Sequence, residues 1–131
     1  MWIASTALLA AMLALPLAQN SWNGPEVAAV LVVSATAMLA GQRWAIALVV
    51  LAELLLLPTV VPRAFVLGAE LPVRTIAFVS IGSLVPGLLA MRRAAAAMVL
   101  VTGRPRTQLV CRKFHRGLVA GAVLAMIIPL L

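Results

Sequence analysis

The sequence is short of the side chains that carry chemistry. Its 131 residues include one cysteine (Cys111), one histidine (His115), three acids (Glu26, Glu53 and Glu70) and no tyrosine. One cysteine excludes an internal disulfide and, with a single histidine beside it in the count, a thiolate zinc or iron–sulfur site held within one chain. The acids are too scattered to read as paired metal carboxylates. No nucleophile stands next to a base, and no glycine-rich loop is shaped to cradle phosphate. His115 sits among basic residues, where a solvated imidazole at an interface is the simpler reading than a haem or chlorin ligand. Catalysis, a resident metal and a cofactor are therefore not expected.

What the sequence has in excess is apolar surface. Hydrophobic residues make up 65% of the chain, against about 45–50% in an ordinary globular domain, and a soluble fold of this size cannot hide that much. The reading is an all-α integral membrane protein. At about 20 residues per crossing the length allows five or six spans at most. Residues 1–131 are thus expected to form a single membrane domain, a compact bundle of four to five short transmembrane helices with no soluble domain. The net charge of +7 would raise nucleic-acid binding in a soluble protein, but here the charge falls at helix ends, and no nucleic-acid partner is expected. Arginine supplies every basic residue except Lys113, and with abundant alanine this fits a bacterial source.

Apolar runs separated by polar, proline or glycine punctuation place the spans near 2–18, 25–40, 44–61, 73–91 and 117–131. The first lacks the positively charged start of a signal peptide and reads as a retained helix. Pro25 suits a first turn. Gly41, Gln42 and Arg43 make a turn tight enough to force the second and third spans to be antiparallel neighbours. Residues 94–101 are apolar but too few to cross; they either lie in the interface or prolong the fourth span. The stretch 92–116 reads as a basic cytoplasmic segment.

Orientation follows the distribution of Lys and Arg. If Arg43 is cytoplasmic, then Arg92, Arg93, Arg104, Arg106, Arg112, Lys113 and Arg116 share its side, leaving Arg63 and Arg74 outside. The expectation is a multi-pass protein of a bacterial inner (plasma) membrane with a cytoplasmic N-terminus. Trp2, Trp22 and Trp44 fall at span ends, as interfacial anchors do.

Glu53 is the most informative residue, because it falls near the middle of the third span, where a carboxyl is costly and is expected to be protonated or hydrogen-bonded. Counting inward from the loops puts Ser83 and Ser34 at its depth, and these are its expected partners. The site reads either as a proton or cation site or as interhelical glue of the kind polar groups supply in membranes. Pro58 and Pro62 in the third span, and Pro86 with Gly87 in the fourth, are expected helix breaks of the sort that line transporter sites; proline is also common in membrane helices that bind nothing. Ser80, Ser83 and Gly87, and separately Gly117, Gly121 and Ala125, recur at helical spacing and are expected packing surfaces. Arg104, Arg106, Arg112, Lys113 and Arg116 are expected to dock anionic lipid headgroups or a partner, although a topogenic signal alone explains them.

The leading functional expectation is a non-catalytic accessory or scaffold subunit that packs against other membrane proteins or itself. The alternative is a small oligomeric transporter or channel built on Glu53.

Overall fold

A computed structural model of the chain describes residues 1–18, 24–65, 70–103, 105 and 107–131. Among these the structure is all-helical, with six α-helices and no strand: α1 (Trp2–Ala18), α2 (Gly24–Leu39), α3 (Ala45–Phe65), α4 (Leu71–Leu89), α5 (Met91–Val101) and α6 (Gln108–Ile127), closed by a 3-10 turn over Ile128–Leu130. Two of them, α3 and α4, are long and apolar enough to cross a membrane; α1 and α2 are apolar but shorter.

Helices α1 to α4 form a ring in which each packs on the next and α4 closes back on α1, while α2 and α4 stay apart and α1 and α3 meet across the diagonal. The face of α1 turned inward is almost pure alanine: Ala4, Ala7, Ala11 and Ala14 are all sealed from the surface. Their heptad-like spacing puts them on one stripe, and small side chains let helix axes approach closely. The connection between α2 and α3 is as tight as expected. Gln42 N–H donates to Ala37 and Gly41 N–H to Met38, each at 3.1 Å, the crossed pair of bonds that ends a helix through a left-handed residue. Gly41 supplies that conformation with φ +88°. At the opposite end of the ring Arg74 Nε donates to the Ala64 carbonyl at 3.3 Å, satisfying one of the last-turn carbonyls of α3 that have no intrahelical donor.

Two expectations are corrected. Neither Pro58 nor Pro62 breaks the third helix, which runs on to Phe65. Each proline forfeits one bond to the carbonyl four residues back, and the remaining ladder is enough to keep the helix whole. Likewise α4 continues through Pro86 and Gly87 to Leu89. The basic segment 92–116 is helical over most of its described length. The chain bends at Ala90 (φ −82°, ψ 4°), and α5 packs on α3 and α6 rather than prolonging α4. After Gly103, at φ +65°, α6 begins nine residues earlier than the apolar run suggests, because Thr107 caps it by accepting from Val110 N–H at 3.4 Å. Arg104 and Arg106 lie outside the described residues.

Helix α6 runs parallel to α3. Leu51 shares a cleft with Lys113, Phe114, Gly117 and Leu118, and the turn after α6 still touches α3. In an antiparallel arrangement that turn would lie beyond the start of α3. As a result α3 touches every other helix.

Replacing Ala7 by leucine inserts a branched side chain into a face with no room for it. Overpacking of this kind costs about 1–3 kcal/mol, and thermal unfolding followed by circular dichroism in mild detergent is expected to show it. Ala29→Leu, on the exposed side of α2, is expected to leave the midpoint unchanged.

Candidate functional site

Glu53 is the one acid that the described fold encloses. Its side chain is 0% exposed, whereas Glu26 and Glu70 lie at the surface. It sits mid-way along α3, the helix that touches every other described helix. Flanking residues on the same helix, Val49, Val50, Leu56 and Leu57, are buried and apolar, as is Leu84 on α4.

The expected partners are not its partners. Ser83 Oγ donates to the Ser80 carbonyl at 2.7 Å, and Ser34 Oγ donates to the Val30 carbonyl at 2.6 Å. Each hydroxyl is spent on its own helix, the usual local competition for serine inside a helix. Both Glu53 carboxyl oxygens lack a hydrogen-bond partner, as does the buried Oγ of Ser80.

The carboxyl instead seats against Gly87 of α4, occupying the space where a side chain at that position would stand. The register follows from helix geometry. A Cα–Cβ bond tilts toward the N-terminus of its helix, so Glu53 reaches back toward the start of α3. Because α4 is antiparallel, that is toward the end of α4, one turn beyond Ser83. Gly87 thus serves as a notch, and Ser80, Ser83, Leu84 and Gly87 form the buried stripe of α4. An ionised carboxylate left unpaired among apolar side chains costs several kcal/mol, so this surrounding accommodates the neutral acid.

The remaining candidates separate into groups. Pro58 and Pro62 are half-buried on α3 beyond Glu53, toward the Arg74 end. Gly117 and Gly121 on α6 face outward, with nothing within 4 Å of where a side chain would start, while Ala125 packs partly on the core. Arg112, Lys113 and Arg116 are exposed on the first half of α6. None of these is brought to Glu53.

Sequence reasoning missed two features. One is the Gly87 notch, for which the direction of the Glu53 side chain was the readable signal. The other is a cleft of about 390 Å³ at the opposite end of the ring from Arg74, lined by Met38, Gly41, Gln42, Arg43, Ile46, Arg93, Ala96, Ala97 and Leu100. Glu53 lines neither this cleft nor the one at Leu51. No group of three or more His, Cys, Asp or Glu comes together among the described residues.

A side chain at position 87 competes with the Glu53 carboxyl for one space. Gly87→Ala is expected to lower stability by about 1–3 kcal/mol, and most of that loss is expected to vanish in a Glu53→Ala background. The double-mutant cycle, read by reversible unfolding in detergent micelles, should give a coupling of about 0.5–3 kcal/mol; additive effects would dissociate the two residues. Comparison with protein-family models, with curated proteins and with solved structures finds no match to this chain.

Proposed function

We propose that the chain is an integral membrane protein of four or five short spans that serves as a non-catalytic accessory or scaffold subunit of a larger membrane complex. The observation that carries this reading is where the chemistry lies relative to the surface. The one enclosed acid is walled off from both clefts, and the outward faces are apolar. Leu55, Phe78, Val85, Leu89, Val123, Leu124 and Ile127 are all exposed, an extent of apolar surface that marks lipid or protein contact.

Helix lengths agree with a bilayer. The 21 residues of α3 span about 32 Å at 1.5 Å per residue, against a hydrocarbon core of about 30 Å. The 17 and 16 residues of α1 and α2 reach about 25 Å, so the bundle suits a locally thin bilayer. Arg43 and Arg93 line one cleft, and α6 brings Arg112, Lys113 and Arg116 toward the same end. A cytoplasmic placement of that end, with a cytoplasmic N-terminus in a bacterial inner membrane, follows from the bias of basic residues. The outward glycines of α6 offer a surface on which another helix can approach closely.

A small oligomeric transporter is the second reading, and the unpartnered carboxyl of Glu53 is the observation that favours it. Extraction of native membranes in mild detergent, followed by native mass measurement, separates the two. The subunit reading expects a fixed-ratio complex with larger proteins, lost in Gly121→Leu and kept in Glu53→Gln. A homo-oligomer with no other component would overturn it. Proton flux in proteoliposomes that Glu53→Gln abolishes would then establish the second reading.

A further inference from the structure

The cleft between the α2–α3 turn and α5 contains two guanidinium groups, Arg43 from the turn and Arg93 from α5, both exposed, and no acidic residue among its lining side chains. Its other walls are apolar: Met38, Ile46, Ala96, Ala97 and Leu100. Gln42 completes the rim. Its Oε1 accepts from Trp44 Nε1 at 3.0 Å, which leaves the amide NH2 as its donor side. The cleft exists because α5 folds back at Ala90 instead of extending α4, bringing Arg93 to the turn that holds Arg43.

We infer that this cleft is a binding site for an anionic phospholipid, with the headgroup phosphate between Arg43 and Arg93 and the upper acyl chain along Ile46, Ala97 and Leu100. Charge complementarity selects the occupant. Two guanidinium groups with no carboxylate between them are built for a phosphate, for which arginine is the best-suited donor. The adjoining apolar wall is useless to a free phosphate ion and suited to a lipid tail. The exposed indole of Trp44, held by Gln42 at the rim, is the side chain expected at headgroup depth. The site is separate from the basic face of α6, and it rests on the membrane reading above.

The test uses the full chain with Trp2 and Trp22 replaced by phenylalanine, so that Trp44 is the only indole. The protein is reconstituted in phosphatidylcholine vesicles, and retention after an alkaline carbonate wash and flotation is scored first. Bromine-labelled phosphatidylglycerol or phosphatidylcholine then quenches Trp44. Phosphatidylglycerol is expected to be preferred, with the preference falling about fivefold in Arg43→Gln or Arg93→Gln and scarcely changing in Arg92→Gln, which alters the same charge one residue outside the cleft. Equal quenching by the two lipids overturns the site, as does an equal loss in Arg92→Gln. Displacement of the labelled lipid by millimolar inorganic phosphate also overturns it, since the cleft would then take the free anion. Release of the chain by the carbonate wash would instead remove the membrane reading, and the site with it.

Discussion

Every other helix of the chain packs on α3, and that single constraint decides what α3 can contain. The packed face of such a helix has no side for a charge to leave by, and the stripe that stays exposed, Leu48, Leu51 and Leu55, is apolar as well. Its sequence obeys this from Ala45 onward, with Glu53 the exception before Arg63 near the end. Arg63 is only half-buried and stands where the last-turn carbonyls favour a cation. Glu53 has no such outlet. Helices α1, α2 and α4 of the ring pack on it, as do α5 and α6, and the stripe left outward is Leu48, Leu51 and Leu55 rather than the face that carries Glu53.

Much of this arrangement was legible in the apolar runs. Spans expected at 2–18 and 25–40 correspond closely to α1 and α2, and the turn at Gly41 was readable from its residues, since a left-handed glycine after an apolar run ends a helix. The helices of the basic stretch were less legible. Arg92 and Arg93 follow the end of α4 at Leu89 and occupy the exposed side of α5, while Ala94 and Ala95 are buried. Arg112, Lys113 and Arg116 recur at helical spacing along the outside of α6. The pattern is that of a helix with one wet face. Thr107, placed three residues before Val110, was the available start signal.

The site was half legible. A lone acid deep in an apolar run is visible from composition, and Glu53 is enclosed as expected. Its surroundings were not. Counting residues inward from the loops compares the depths of Cα atoms, whereas a glutamate ends about a helical turn away from its own Cα, in a direction fixed by chain sense. That offset is the distance between Ser83 and Gly87. The serines also had a competing partner that no depth count reveals, the carbonyl three or four residues back on the same helix.

The fit of Glu53 to Gly87 bears on why an apolar core retains a carboxyl that bonds to nothing within it. Sliding α4 by one turn toward its end sets Ser83 against the carboxyl, and sliding it the other way sets Met91 there. Both place a side chain where only glycine leaves space, so a single register of α3 on α4 accommodates Glu53. The small and aliphatic side chains elsewhere in this interface, Val60 and Ala64 on α3 and Ala77 and Leu84 on α4, discriminate poorly between registers one turn apart because their shapes nearly repeat. A polar group that lowers total stability while excluding near alternatives acts as a register device, the best-attested use of buried polar residues. A carboxyl that carries protons has a different requirement, a hydrogen-bonded route to water. The buried neighbours of Glu53 along α3 are aliphatic, the hydroxyls of Ser80 and Ser83 on α4 make no bond to it, and neither cleft reaches it. On the geometry of this interface, then, the carboxyl fills the space at Gly87, and any role in conduction requires α4 to move off Gly87.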